Sequence, residues 1–380
     1  MAFIHRIISD AIREAARFYQ VIVITGPRQT GKTTLCKELF GDYSYYNFED
    51  LGLRQAVADD PKGFLEGCGK EVILDEIQNI PDLFSYIQLT VDTDSERKFI
   101  LTGSNNFSLM ENITQSLAGR AALYTLLPFS LSELSEAYRD QPTDTLIHNG
   151  LFPGVIVKGT PPELFYRNYY STYVERDVRQ IKQITDLPKF QTLMKLVAGR
   201  VGSECNSSAL ANETGVSSPT IKSWLGVMET SYIIFTLPSY HTNISKRLTK
   251  TPKVYFTDTG LLCYLLDITT VGQLATHPLR GAIFENMVVV EMLKRRLNQG
   301  RGSNLHFYRE SSGREVDILQ TEADTMKAFE IKSSKTYNRD FQKNLTYLRD
   351  MLGDKITEAA VIYDGDSIPP NIYNFRRYPK

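Results

Sequence analysis

The segment GPRQTGKT, residues 26–33, has the residue types and spacing of a loop that binds phosphate groups. Glycines at Gly26 and Gly31 let the backbone fold closely, so that its N–H groups face an anion. Lys32 would neutralise the β- and γ-phosphates of ATP, and the Thr33 hydroxyl would ligate Mg²⁺. The alternative is a glycine turn without a ligand. The residues predicted to bind the nucleotide are Gly26, Pro27, Arg28, Gln29, Thr30, Gly31, Lys32, Thr33 and Thr34.

Two acids follow the apolar run VIL at residues 72–74. The run predicts a buried strand that delivers Asp75 and Glu76 at its carboxyl end. Asp75 would hold Mg²⁺ through its water shell, and Glu76 would be the base that orients and deprotonates the attacking water. Such a pair is weak evidence alone, but it is the expected companion of a phosphate-binding loop.

Other polar residues are candidates for contact with the reacting phosphate. Ser104 or Asn105, at the end of KFILTGSN, would position the attacking water, or would only cap a strand. Arg120, in SLAGR, would sense the γ-phosphate in cis or from a neighbouring subunit, and Arg28 is a second cation near the phosphates. For each arginine the alternative is a structural salt bridge. An arginine supplied in trans would require a homo-oligomer, which the sequence leaves open.

The first third of the chain alternates strands and helices, which is typical of a parallel α/β sheet. Residues 4–18 have the spacing of an amphipathic helix. Short apolar runs predict strands at residues 21–25, 43–49, 71–76, 98–104 and 121–128. The phosphate-binding loop lies between the first of these strands and a helix, which is the position that its chemistry requires.

A helix-turn-helix is predicted from residue 207, with Ser207 and Ser217 as N-caps. A hairpin is predicted over residues 239–256, where basic residues occur without an acid. The pair suggests DNA binding through the second helix and the hairpin, although the helix has only Lys222 as a cation. Helix pairs of this kind also bind proteins or act as hinges. The residues that would contact DNA phosphates are Lys222, Lys246, Arg247, Lys250 and Lys253.

Acids and a lysine recur on predicted strands near the C-terminus. REVDILQ places Asp317 on one strand, and KAFEIKS places Glu330 and Lys332 on one face of the next. The preceding helix, GAIFENMVVVEML, is apolar almost all round, so a carboxylate on it would be partly buried and would need a partner. Glu285 and Glu291 are about 120° apart on that helix, so only one of them is expected to face the site.

The chain resembles a large prokaryotic family that joins an AAA-type P-loop ATPase domain to a C-terminal domain of unknown function. GPRQTGKTT, LDEIQN, LTGSN, SLAGR, LPFSLSE, YVERDV and YFTDTGLL all match, whereas Asn105 replaces a more usual small hydroxyl residue. The resemblance implies an AAA-like P-loop α/β domain with a helical extension at 1–185. It also implies a winged helix-turn-helix at 186–260 and a restriction-endonuclease-like α/β domain at 261–380.

Within the resemblance, the C-terminal acids and lysine match the PD-(D/E)xK nuclease core. Glu285, Asp317 and Glu330 would hold a second divalent metal, and Lys332 would activate water or stabilise developing charge. The fold also permits a DNA clamp that does not cleave. A third possibility is a surface network of the acids with Lys332 and Arg314.

Composition and the absence of certain sequence patterns exclude several classes of site and of protein. A net charge of −1 offers no global attraction to nucleic acid, and four cysteines without a C-x-x-C pair argue against a zinc site. The N-terminal residues do not have the pattern of a signal peptide, and no apolar run predicts a membrane span, so we expect a cytoplasmic protein.

Three functions remain open. The first is an ATP-driven, DNA-associated protein in which ATP sets the relative position of the C-terminal domains. The second is a regulatory nucleotide switch that acts on a protein partner. The third is an ATP-gated, metal-dependent DNase.

Overall fold

The computed structural model describes residues 3–104, 115–173, 184, 186–241, 251–310, 312–368 and 370–378. The chain divides into two compact units. Unit 1 comprises Met1–Phe129, Thr230–Tyr232 and Arg295–Arg301, and unit 2 comprises Ser130–Glu229, Ile233–Lys294 and Gly302–Lys380.

Unit 1 is built on a parallel five-stranded sheet, which confirms the predicted α/β class. Its strands are β1 (Val21–Thr25), β2 (Ser44–Asn47), β3 (Glu71–Asp75), β4 (Lys98–Gly103) and β5 (Ala121–Thr125), in the spatial order β2-β3-β4-β1-β5. The helices are α1 (Ile8–Ala15), α2 (Lys32–Leu39), α3 (Leu51–Asp59), α4 (Pro61–Gly67) and α5 (Leu83–Thr93).

The sheet order determines which strand ends lie side by side. All five residues of β1 are buried, as expected for a strand covered on both faces. Strand β4 lies between β1 and β3. The carboxyl end of β4 therefore lies between the residues that follow β1 and the acids at the end of β3.

The first helix is shorter than predicted. It begins at Ile8, and residues 3–6 are not helical. Arg6 belongs to this non-helical segment, and its guanidinium is buried against backbone carbonyls. The apolar spacing that suggested a helix from residue 4 did not reveal this use of the arginine.

Unit 2 contains a mixed five-stranded sheet in the order β12-β11-β10-β9-β8. Strands β8, β9 and β10 are antiparallel, whereas β10, β11 and β12 are parallel. The strands are β8 (Leu305–Arg309), β9 (Glu315–Glu322), β10 (Thr325–Lys332), β11 (Ile356–Tyr363) and β12 (Ile372–Asn374). The predicted strands that contain REVDILQ and KAFEIKS correspond to β9 and β10, and the short β12 was not predicted.

Most of the described helices of unit 2 precede this sheet in the chain. In chain order, the first four described helices of this unit are α6 (Glu136–Arg139), α7 (Thr143–Asn149), α8 (Pro153–Ile156) and α9 (Pro162–Tyr169). The others are α10 (Leu187–Ala198), α11 (Ser207–Thr214), α12 (Ser218–Thr230), α13 (Thr259–Leu265), α14 (Val271–Thr276), α15 (Arg280–Asn298) and α16 (Lys343–Leu352). The long apolar helix predicted before the C-terminal strands is α15.

The helix pair α11 and α12 is followed by the antiparallel strands β6 (Ile234–Leu237) and β7 (Lys253–Phe256). The hairpin was predicted over residues 239–256, but its first strand, β6, lies before that range and ends at Leu237. Asn206, rather than Ser207, caps α11, since its side chain accepts from two backbone N–H groups. Ser217 accepts from the backbone N–H of Thr220 at 3.3 Å, as expected of a cap.

Three basic residues of the predicted hairpin, Lys246, Arg247 and Lys250, lie outside the described residues, as does Asn105. Across the described part of the chain, no helix has both the length and the apolar character needed to cross a membrane.

Candidate functional site

The phosphate-binding loop connects the buried strand β1 to helix α2, as the motif requires. Gly31 has φ +92°, a left-handed conformation that residues with a Cβ rarely adopt. Gly26 is required by space, because a Cβ there would lie 2.2 Å from the carbonyl oxygen of Leu126. The loop is therefore pressed against the segment that follows β5. Gln29 is exposed on the loop, and Thr34 is exposed in the first turn of α2.

Lys32 is buried and folded back over its own loop. Its Nζ donates to the carbonyl oxygens of Gly26 at 3.0 Å and Pro27 at 2.9 Å. Burial lowers the pKa of Lys32, and the carboxylates of Glu76 and Asp75 oppose that shift. A buried ammonium of this kind gains most from a nearby anion, as a terminal phosphate would provide.

Asp75 lies at the end of β3 and is 3% exposed. Its Oδ2 accepts from the hydroxyls of Thr33 and Tyr45, each at 2.7 Å, and its Oδ1 accepts from the Thr102 hydroxyl. A carboxylate and a threonine hydroxyl are oxygen ligands of the kind that Mg²⁺ prefers. The arrangement of Thr33 and Asp75 therefore fits the magnesium site that the motif predicts.

Glu76 follows Asp75 in a left-handed conformation, with φ +55°. A non-glycine residue in that region costs free energy of the order of 1 kcal/mol, and such residues concentrate at functional sites. Its Oε2 accepts from the Ser104 hydroxyl at 3.2 Å and from the Gln78 amide. The carboxylate of Glu76 and the hydroxyl of Ser104 are thus in contact at the carboxyl edge of the sheet.

The two candidate arginines occupy different places. Arg28 lies within 4.0 Å of Glu49, at an exposed position. Arg120 forms a two-point pair with Asp92, at 2.6 and 2.9 Å. Because β5 runs parallel to β1 and begins at Ala121, Arg120 lies at the amino edge of the sheet, roughly 15 Å from the loop. The pairing of β5 with β1 therefore argues against contact between Arg120 and a phosphate bound to the same chain. Contact with a phosphate bound to a neighbouring subunit stays a prediction.

Tyr45 and Thr102 were not predicted from the sequence, although both hold Asp75. Tyr45 belongs to β2 and Thr102 to β4, the strands on either side of β3. Burial raises the pKa of Tyr45 and Asp75 raises it further, so the phenol stays protonated and able to donate. For Thr102 the available signal was its position near the carboxyl end of a predicted strand, whereas Tyr45 lies in the middle of its predicted strand and gave no such signal.

A second polar cluster, the carboxylate cluster, lies in unit 2 and consists of Glu285, Glu315, Asp317 and Glu330. Lys332 bridges two of its members, with Nζ 2.7 Å from Glu330 Oε1 and 3.7 Å from Asp317 Oδ2. Asp317 also accepts from the backbone N–H of Ile331 at 2.7 Å. The sequence-predicted acids and lysine are therefore brought together.

The buried position of Lys253 contradicts the prediction that this lysine contacts DNA phosphates. Its side chain is 3% exposed and lies 3.4 Å from Glu285 Oε1 and 2.5 Å from Glu315 Oε1. The sequence showed a positive charge in a basic segment but not its burial. Tyr255, on the same face of β7, donates to Glu285 at 2.6 Å.

Of the two glutamates on α15, only one belongs to this cluster, as the helical spacing predicted. Glu291 instead accepts from the backbone N–H of Leu131 at 2.7 Å and pairs with Lys294 at 3.0 Å. Arg314 stacks over the ring of Tyr347, 3.9 Å from its centroid. Asp317 and Glu330 pair with Lys332, as the alternative of a structural network predicted, but both acids are buried rather than at the surface.

Protonation of the carboxylate cluster should depend on pH near neutrality. Burial, and then the charge of Asp317, raise the pKa of Glu285 to about 7 and that of Glu330 to about 8.

Among the described residues, no three His, Cys, Asp or Glu side chains are grouped so that they could hold a metal ion. In this conformation lysines, rather than acids alone, surround the centre of the cluster.

We expect the thermal midpoint of unfolding to fall as pH rises from 4.5 to 8. A carboxyl group whose pKa is raised on folding stabilises the protein below its unfolded pKa of 4.5, and that stabilisation is lost as pH rises through the folded value. A tenfold difference between the acid constants of the folded and unfolded states corresponds to about 1.4 kcal/mol of stability. Glu330→Gln should flatten this dependence in calorimetric scans, whereas Glu322→Gln, at an exposed position, should not. An unchanged slope in Glu330→Gln would contradict the assignment.

Comparison with known proteins divides the chain into three segments. Residues 19–135 match the family described as an AAA domain. Residues 140–271 and 280–377 match two domains of unknown function, DUF8612 and DUF4143. Uncharacterized proteins of Mycobacterium bovis and Mycobacterium tuberculosis are each 27% identical over 360 residues, which cover 93% of this chain and 79% of theirs.

Among solved structures, a Walker-type ATPase of Pyrococcus abyssi is 14% identical and has a TM-score of 0.46. The alignment covers 68% of this chain and 94% of that one, and the score is too low to assign a shared fold. The AAA match agrees with the phosphate-binding loop and the parallel sheet of unit 1. The chain therefore contains an AAA-type P-loop domain, followed by two domains of unknown function.

Proposed function

We propose that the protein binds ATP with Mg²⁺ and hydrolyses it at the carboxyl edge of the sheet in unit 1. The observation that carries the proposal is the convergence of Lys32, Thr33, Asp75 and Glu76 around the phosphate-binding loop. Magnesium, when bound, neutralises charge on the terminal phosphate oxygens. Thr33 and Asp75 are the residues that would hold it.

Each side chain has a distinct task in this proposal. Lys32 exchanges its contacts with the loop carbonyls for the terminal phosphates of ATP. Glu76 accepts a proton from the attacking water, and Ser104 orients that water through its contact with Glu76. Tyr45 and Thr102 keep Asp75 in place by donating hydrogen bonds to it.

Phosphate release from ATP by the purified protein tests the proposal. We expect multiple turnovers with Mg²⁺ and none when the metal is chelated. A Ser104→Ala variant should bind ATP normally but turn over more slowly, because its hydroxyl acts on water rather than on the nucleotide. Absence of turnover in the parent protein, under conditions where ATP is bound, would leave a nucleotide switch as the better description.

A second candidate function concerns the carboxylate cluster. Glu330 is 5% exposed, and its Oε2 has no hydrogen-bond partner, so a buried acceptor remains unsatisfied. An unsatisfied buried carboxylate oxygen is costly, and a divalent metal would satisfy it. We propose that the cluster binds a divalent metal and acts on nucleic acid, as the resemblance to nuclease-like domains implies. Glu285, Asp317 and Glu330 would be the ligands, with Lys332 beside them.

Metal binding at that site requires a change in the present contacts, because Lys253 and Lys332 now neutralise the acids. One metal ion would have to displace at least part of this pairing. Cleavage is therefore expected only when the lysines move, which is compatible with ATP-gated activity. The same residues would bind DNA without cleaving it if the lysines stay in place.

Plasmid DNA incubated with Mg²⁺ or Mn²⁺, with and without ATP, tests the second candidate. We expect nicking that depends on metal and is lost, by about 100-fold or more, in Asp317→Ala, since a metal ligand is removed. Asp324→Ala, at an exposed position beyond the same strand, is the matched control. Cleavage that persists in Asp317→Ala would remove the cluster from the reaction.

DNA association and a protein partner remain alternative proposals for the helix pair α11 and α12. The order of helix pair and antiparallel strands is that expected of a winged helix, and Lys222 is exposed on α12. A mobility shift with duplex or single-stranded DNA that weakens steeply with salt supports DNA. Its absence at low salt favours a regulatory switch that acts on another protein.

A further inference from the structure

Arg6 is buried beside the phosphate-binding loop although it precedes the first helix and the first strand. The residue is 4% exposed. Its Nη1 donates to the carbonyl oxygen of Thr30 at 3.0 Å, and its Nη2 donates to that of Leu127 at 2.7 Å. The guanidinium carbon lies 4.7 Å from the centre of the Phe129 ring. Arg6 thus joins the middle of the loop to the segment after β5.

The loop has a second attachment to that same segment. The backbone N–H of Leu126 donates to the carbonyl oxygen of Thr25 at 2.8 Å, and the backbone of Gly26 packs directly on Leu126. The first residue of the loop is therefore fixed by close packing, whereas Thr30 is attached through Arg6. Thr30 is fully buried, and its hydroxyl donates to the carbonyl oxygen of Pro27 at 2.9 Å.

The position of the Thr30 carbonyl determines the direction of the next N–H group. In a planar trans peptide the C=O and N–H bonds point in opposite directions. Because the Thr30 carbonyl points toward Arg6, the N–H of Gly31 points away from it. In a P-loop, N–H groups near the second glycine and the lysine are those that face the phosphates. Arg6 therefore holds a phosphate-binding donor in its orientation without touching the nucleotide.

We propose that Arg6 is a positioning residue for nucleotide binding, acting through the Thr30–Gly31 peptide. The proposal rests on the proposed ATP site and adds a residue that the motif does not contain. A planar guanidinium can bond two carbonyls at once, whereas a lysine ammonium is a single point. The N–H groups of the loop would contact the phosphates both in the bound ground state and in the transition state of hydrolysis. Loss of Arg6 should consequently weaken binding more than it slows the chemical step.

The test compares Arg6→Ala, Arg6→Lys and the control Arg13→Ala, whose arginine is exposed on α1. We expect Arg6→Ala to raise the KM and Kd for Mg²⁺-ATP by about 10- to 100-fold, while kcat changes by less than about fivefold. Arg6→Lys should be weakened to an intermediate degree, and Arg13→Ala should match the parent. Guanidinium ion added to Arg6→Ala should lower KM toward the parent value, whereas sodium or ammonium at equal ionic strength should not.

A purely structural role would give a different pattern. In that case Arg6→Ala would lower the unfolding midpoint but bind ATP like the parent at temperatures where it is folded, and this result would overturn the proposal. Should Arg6→Ala fail to fold, Arg6→Lys decides: weakened ATP binding supports the role, and parental affinity overturns it. Failure of the parent protein itself to bind ATP would overturn the proposed function as well, which separates the two claims.

Discussion

Glu76→Gln is expected to bind Mg²⁺-ATP about as well as the parent but to hydrolyse it roughly 10²- to 10⁴-fold more slowly, the contribution of a general base. The amide keeps the shape of the side chain and can still contact Ser104, but it cannot accept a proton from water. The variant should therefore accumulate in the ATP-bound state. Single-turnover hydrolysis with labelled ATP, together with equilibrium binding, separates the two effects.

Glu71→Gln is the matched control for this prediction, because Glu71 is an exposed carboxylate at the opposite end of β3. Its turnover should equal that of the parent. If Glu76→Gln hydrolyses ATP at the parental rate, Glu76 is not the base. The base would then have to be sought elsewhere at the carboxyl edge of the sheet.

Lys32→Ala is expected to abolish nucleotide binding, with affinity reduced roughly 100-fold or more. The ammonium is the charge placed against the terminal phosphates, and charge-assisted hydrogen bonds are worth about 1.5–3 kcal/mol each. The folded state should tolerate the change, since the alanine removes a buried cation whose pKa is lowered by that burial. Fluorescent ATP titration, with circular dichroism as the fold check, measures both.

Lys62→Ala serves as the control for Lys32→Ala, because Lys62 is an exposed lysine that pairs with Glu66 on α4. It should leave ATP affinity unchanged. Parental affinity in a folded Lys32→Ala variant would contradict the assignment of the loop lysine. Loss of affinity in both variants would instead point to a general charge effect.

The phosphate-binding loop could be predicted because its chemistry is contiguous in sequence. Strand, loop and helix follow one another, so the spacing of Gly26, Lys32 and Thr33 carries most of the information. The parallel sheet followed from the alternation of buried runs and helical stretches. The acids at the end of β3 and the polar end of β4 followed from apolar runs that end in polar residues, as companions of the loop, and the resemblance to an AAA-type family matched the same segments.

Contacts made across strands could not be predicted in the same way. Tyr45 and Thr102 hold Asp75 only because β2 and β4 flank β3, and strand order is not visible in local patterns. Arg6 lies 24 residues before its loop partner, so its role appears only in three dimensions. Its position next to apolar residues instead suggested the polar face of a helix.

The sequence pattern of charged residues also gave wrong predictions of where two side chains lie. Lys253 occurs in a run of basic residues, yet it faces two glutamates in the interior of unit 2. Arg120 follows a family motif, yet the register of β5 places it at the edge opposite the loop. In both cases the sequence shows the charge of the residue, but the direction of its side chain depends on tertiary packing.

Titration of the purified protein with ATP in a calorimeter, with and without Mg²⁺, tests the central claim most directly. The account predicts saturable binding of one nucleotide per chain that strengthens when Mg²⁺ is present and disappears in Lys32→Ala. Absence of any binding by the folded parent protein at millimolar Mg²⁺-ATP would contradict it. In that case the loop between β1 and α2 would be a structural turn rather than a nucleotide site.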